Sequence, residues 1–225
     1  MPTNNSGRSS APSFFNPKSA GTRFLTALSN LIIVNFLFII TSLPVITIGA
    51  SLTALYRITI AILAGDNPSV WKDYLKSFKE NFLKATGLFI LYAALTAFFA
   101  FEIYMVNNMM EEQYSWVQIP AVFFLVVIFS SFTYAFPLLA WFEESLKQIL
   151  KNSILLAISN LPVTIMIAVI TAVLAFLLYE FTVTTMSLLV FMGIAVIAMF
   201  YSVFLKKIFE KSGAVIKFDE EDPKN

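Results

Sequence analysis

Between Phe24 and Ile48 the chain carries no charged residue. A helix of that length covers about 37 Å at 1.5 Å per residue, more than the ~30 Å hydrocarbon core of a bilayer. Further apolar runs follow at 85–106, 118–141, 161–179 and 186–205. In lipid every backbone N–H and C=O needs a partner within the protein, which leaves helices and closed barrels as spanning structures. These runs are continuous rather than alternating, so a barrel is excluded. The expected fold class is an all-α integral membrane protein. Composition agrees, because only 13% of the 225 residues are charged, against about a quarter in soluble domains.

Residues 1–22 are rich in Ser, Pro, Asn and Gly and lack an apolar stretch ending in a small-residue cleavage site. They are expected to form a disordered cytoplasmic tail rather than a signal peptide. Residues 23–210 are expected to form a single membrane domain. Residues 211–225, with Asp219-Glu220-Glu221-Asp222, form an acidic C-terminal tail.

The stretch 52–64 is apolar but short, about 20 Å as a helix. It reads either as a short second span or as a re-entrant or interfacial helix. Two segments, 69–84 and 142–160, are amphipathic. In the first, Trp71, Tyr74, Leu75, Phe78 and Phe82 recur at helical spacing, with Lys72, Lys76, Lys79 and Glu80 away from them. This predicts an interfacial helix with an aromatic face pressed into headgroups or onto the bundle. Asn67 and Pro68 supply its start signal.

Charge placement decides between the readings of 52–64. If it crosses, there are six spans with both termini on one side. All Lys and Arg except Arg57 then fall on that side, as the positive-inside rule requires. If it does not cross, Lys72, Lys76, Lys79 and Lys84 move outside. The expected layout is therefore six transmembrane helices, the second one short, with two cytoplasmic amphipathic helices and cytoplasmic termini. Residues 69–141 and 142–205 each read as amphipathic helix, span, turn, span, a weak direct repeat.

The chain has neither Cys nor His. Disulfides, thiolate chemistry, imidazole zinc sites and Ser-His or Cys-His nucleophile pairs are excluded. No P-loop, GxSxG, HExxH or DxDxDG pattern occurs. No enzyme activity, cofactor or metal is expected. The net charge of +1 provides no basic field for nucleic acid.

Three segments carry a family resemblance. Leu43-Pro44-Val45-Ile46-Thr47-Ile48-Gly49-Ala50-Ser51-Leu52-Thr53-Ala54-Leu55-Tyr56 resembles the first-hairpin signature of the YesL-like membrane proteins of Gram-positive bacteria. Tyr74–Thr86 resembles that family's F-x-x-F-K-x-N-F helix. Phe136–Phe142, with Leu150-Lys151-Asn152-Ser153 and Leu161-Pro162, is the third match. Ala50 and Trp141 depart from the pattern, standing where the family often has proline and arginine. The resemblance implies six spans in the cell membrane, no assigned activity and no catalytic residues to transfer. It further implies carbohydrate uptake or utilisation as the setting, with a sugar-uptake component as a membrane-protein partner besides the bilayer itself.

The candidate residues follow from cost. Arg57 stands on the short stretch, where a charge at membrane depth costs at least ~2.5–3.5 kcal/mol on insertion scales. With Thr53 and Tyr56 it makes a polar side on that helix. It either contacts an anion or solute in a path, or is held structurally by Glu102, Glu180, a backbone carbonyl or snorkelling. Pro44 and Gly49 read as a hinge or, more simply, as the turn between spans. Trp71, Tyr74, Phe78 and Phe82 form either a partner-docking face or a face lying on the membrane. Glu102, Glu111, Glu112 and Glu180 read as solvated loop carboxylates.

Overall fold

The computed structural model describes residues 20–66, 68–142 and 144–211. The elements are α1 (Ala20–Thr41), a 3₁₀ turn (Val45–Thr47), α2 (Ile48–Ala64), α3 (Val70–Met109), a second 3₁₀ turn (Glu112–Val117) and α4 (Gln118–Trp141). Then come α5 (Leu146–Ser159), α6 (Leu161–Glu180), α7 (Thr182–Leu188), a π-helical segment (Leu189–Gly193) and α8 (Ile194–Lys211). Six helical stretches are long and apolar enough to cross a membrane: Phe24–Thr41, Val45–Ala64, Val70–Met109, Gln113–Trp141, Leu161–Glu180 and Thr182–Lys211. The tails expected at 1–22 and 211–225 and the cap expected at Asn67 fall largely outside the described residues; α1 begins at Ala20 and α8 ends at Lys211.

The second span is longer than the sequence suggests. Pro44, in extended conformation at φ −76° and ψ 110°, precedes the 3₁₀ turn, and the α-helix is under way by Ile48. Gly49, read as a hinge or turn residue, lies inside its first turn. With the 3₁₀ residues the stretch Val45–Ala64 has 20 residues, the length a span needs. It ends at Gly65, whose φ of 89° is the left-handed conformation that suits glycine after a helix.

This helix is the centre of the bundle. In its apolar 18-residue core Val45–Ala64 has 67% of its residues buried, whereas the corresponding windows of the other stretches range from 11% to 50%. It touches α1, α3, α4 and α8. Gly49 permits a close contact with α3, because a Cβ there would overlap the Ala85 carbonyl oxygen and stand 2.8 Å from the Phe89 Cβ. The proposed hinge pair is thus divided: Pro44 belongs to the turn, and Gly49 is a packing residue within the helix. Thr59 and Ser202 share a hydrogen bond (3.0 Å), and Lys206 donates to the Leu63 carbonyl (3.4 Å). The common offset makes α2 and α8 run in parallel.

The segment 69–84 and the span after it form one 40-residue helix, α3, about 60 Å long. No Pro or unsatisfied turn interrupts the ladder at Lys84-Ala85. Its counterpart in the second half does break: α5 ends at Ser159 and α6 begins at Leu161. Pro162 there has no N–H to give to the preceding turn, and Asn160 leaves helical geometry at φ −125° and ψ 44°. The turn expected at Glu180–Thr185 shrinks to Phe181 alone.

The first and last spans are locked by Asn35, which is fully buried. Its Nδ2 donates to the carbonyls of Leu189 (3.1 Å) and Val190 (2.7 Å), and its Oδ1 accepts from the Ala195 N–H (3.0 Å). The two carbonyls lie in the π-helical segment and the Ala195 N–H just after it, where the i→i−4 ladder is interrupted. The side-chain amide substitutes for a peptide group in that ladder. Replacing Asn35 with Leu is expected to cost about 1–3 kcal/mol by stranding those backbone groups. Asn30→Leu on the same helix should change little, as thermal unfolding in detergent would show. In the same assay Gly49→Ala is expected to destabilise by about 1–3 kcal/mol through overpacking. Gly87→Ala, with open space around it, should stabilise by roughly 0.5–1 kcal/mol.

Candidate functional site

Three cations gather at one end of the bundle, each against a backbone carbonyl. Arg57 Nη1 donates to Ala140 in the last turn of α4 (3.3 Å). Lys206 Nζ reaches Leu63 in the last turn of α2, and Lys84 Nζ reaches Glu144 in the α4–α5 loop (3.5 Å). The final carbonyls of a helix have no partner within it and carry the negative end of the helix dipole. A cation placed there lowers the cost of both groups. Lys206 also pairs with Glu210 (3.8 Å). Ring contacts of Trp141 with Phe209 (4.7 Å between centroids) and of Phe142 with Phe209 (5.8 Å) close this end.

Arg57 is therefore half-buried between α2 and α4 rather than at the middle of a lipid-facing helix. Of the readings open to it, contact with a backbone carbonyl is present. Thr53 is buried and donates back to Gly49 of its own helix (3.0 Å). Tyr56 is buried. Thr59 turns the other way, to Ser202 and to the Tyr56 carbonyl. The polar side expected on this helix is divided among its neighbours instead of lining one surface.

The aromatic set is also divided. Tyr74 is fully buried; its hydroxyl meets Thr41 Oγ1 (2.7 Å), which accepts from Ser51 Oγ (2.9 Å). Thr47 Oγ1 donates to the Thr41 and Pro44 carbonyls, so this hydroxyl cluster ties the first turn to α3. Phe78 and Phe82 are half-buried and in contact with each other (5.6 Å). Trp71 is 61% exposed. The buried line on α3 runs Val70, Tyr74, Ser77, Ala85, Leu88, Tyr92. Small residues set close helix contact in membranes, and a search for aromatic spacing passes over Ser77 and Ala85.

Elsewhere several interior hydroxyls join helices in the same manner. Tyr92 meets Ser131 (2.6 Å), which meets Ser153 (2.7 Å), linking α3, α4 and α5. Tyr134 meets Thr164 (2.9 Å), and Thr171 meets Tyr201 (3.1 Å). Apart from Ser153, which lies in the third family match, the sequence marks none of these hydroxyls, since Ser and Thr within an apolar run give no periodic signal. Glu102 is half-buried and Glu111 exposed. Among the described residues no group of three His, Cys, Asp or Glu side chains could hold a metal ion.

Residues 31–103 match a family described as a protein of unknown function, DUF624. The matched stretch takes in Asn35, the first turn, all of α2 and most of α3. No curated protein and no solved structure matches the chain.

Two substitutions test this geometry. Tyr74→Phe is expected to lose about 0.5–1.5 kcal/mol with its hydrogen bonds. Arg57→Met should destabilise more than Arg57→Lys, by roughly 0.3–1 kcal/mol, because lysine keeps a cation at the end of α4. Thermal unfolding in detergent at low and high salt measures both. The Arg57 difference should shrink at high salt.

Proposed function

We propose that this chain is a non-enzymatic accessory protein of the bacterial cell membrane. It would be a YesL-like protein with cytoplasmic termini, acting beside a carbohydrate uptake or utilisation system. The observation that carries the non-catalytic part is how the buried polar groups are used. Asn35, Thr41, Ser51, Thr59, Tyr74, Tyr92, Ser131 and Ser153 are engaged in bonds between helices or with backbone. Groups so engaged hold a fold together and do not offer themselves to a substrate. The carbohydrate setting and the sugar-uptake partner come from the resemblance of residues 43–56, 74–86 and 136–142 to the YesL-like family. The match of residues 31–103 to a family of unknown function is compatible with that naming.

A solute path lined by Arg57 is the second reading, favoured by the partial exposure of a charged side chain on the central helix. It ranks lower because the Ala140 carbonyl already accounts for the position of Arg57.

Purification in mild detergent from cells expressing the chain at native level is expected to retain a membrane component of sugar uptake, and deletion should slow that uptake. A chain that purifies alone, with uptake unchanged by deletion, would overturn the accessory role. Solute flux in proteoliposomes of the purified chain, lost in Arg57→Gln, would establish the second reading in its place.

A further inference from the structure

On α3 the residues Lys72, Lys76, Lys79 and Leu83 follow one another at helical spacing and form a single stripe. At 100° per residue this stripe points directly away from the buried line through Val70, Tyr74, Ser77 and Ala85. All three lysines are exposed, and Leu83 is the most exposed large apolar residue on α3, at 83%. Asp73 and Glu80 stand three residues before and four after Lys76, about 60° and 40° round the helix from it, and Lys84 lies on their side. Among the described residues none of the three stripe lysines lies within ion-pair distance of a carboxylate. Lys72, Lys76, Lys79 and Lys84 outnumber Asp73 and Glu80 on this surface, and the excess of positive charge suits an anionic partner.

The continuity of α3 says at what depth that partner lies. Apolar sequence begins at Ala85, which sets the edge of the hydrocarbon near exposed Leu83 by composition. Lys79 and Lys76 then stand about 6 and 10 Å further along the axis, and Lys72 about 16 Å. The headgroup layer is roughly 5–8 Å deep on each side of the core, and a lysine side chain can bend by several ångströms to reach it. Lys79 and Lys76 are thus level with lipid phosphates, and Lys72 lies in the field just above them.

We propose that the stripe Lys72–Lys76–Lys79 binds anionic phospholipid headgroups at the membrane surface where α3 emerges. The lysines supply the charge, and Leu83 sets the depth. This site does not rest on the accessory role proposed above.

The test uses the full-length chain reconstituted in an equal mixture of phosphatidylglycerol and phosphatidylcholine. It is then extracted in mild detergent, and the retained lipid is identified by mass spectrometry. The wild type is expected to retain phosphatidylglycerol over phosphatidylcholine by at least about threefold, with the preference falling as salt rises. Lys72→Gln, Lys76→Gln and Lys79→Gln together should abolish the preference. Lys147→Gln with Lys151→Gln, on exposed lysines of α5, should leave it intact. Circular dichroism confirms that each variant is folded. A wild type with no preference overturns the proposal. So does a preference that survives the triple substitution, or one lost equally with the α5 pair, which would indicate a diffuse field. Binding of an acidic peptide by a wild type that shows no lipid preference would assign the stripe to a protein partner instead.

Discussion

A polar group carried into the interior of this bundle has no water to turn to, and the cost of leaving it unpaired is several kcal/mol. That constraint explains why α1 and the last span meet where they do. The π-helical segment Leu189–Gly193 leaves backbone groups outside the regular ladder, and buried Asn35 answers them from α1. Either feature alone would be a liability in an apolar setting. Together they fix the register of two helices separated by more than half the chain.

The same rule orders the middle of the protein. Central α2 is built from small and hydroxylated residues, Gly49, Ala50, Ser51, Thr53, Ala54 and Thr59, all buried. Small side chains let backbones approach, as Gly49 does at Ala85, and their hydroxyls bond across or back along the helix. Larger apolar residues gain little between helices when lipid tails are equally apolar, so many remain on the outside. Phe98, Phe123, Phe176 and Phe191 are all more than half exposed, which suits contact with acyl chains. At one end the scheme changes from neutral hydroxyls to cations, and Arg57, Lys84 and Lys206 are set against carbonyls at or just beyond helix C-termini.

Part of this was legible in advance. The runs of apolar residues marked all six membrane-length stretches, including the disputed one around 52–64. The carbonyl contact of Arg57 was among the readings its position allowed. The aromatic spacing at 71–82 located a helix and, through Tyr74, Phe78 and Phe82, a side of it that packs on the core; it left out the small contact residues, because bulk and contact are different properties in a membrane. Tyr74 belongs to both sets and goes inward; Trp71 belongs only to the first and stays out. Pro44 was legible as a turn residue, whereas Gly49 was not legible as a packing residue. Glycine in a sequence looks the same whether it frees the backbone or makes room for a neighbour.

Hydropathy is a local property, summed over about twenty neighbouring residues, so the sequence by itself determined the helical membrane class, the number of long apolar stretches and the clustering of lysines between them. Pairing is a property of residues far apart in the chain. Only the tertiary structure decided that Asn35 joins Leu189, Val190 and Ala195, that Thr59 meets Ser202, and that the lysine stripe of α3 faces away from the bundle. Each of those depends on which helix stands beside which, and no window along one helix contains that information.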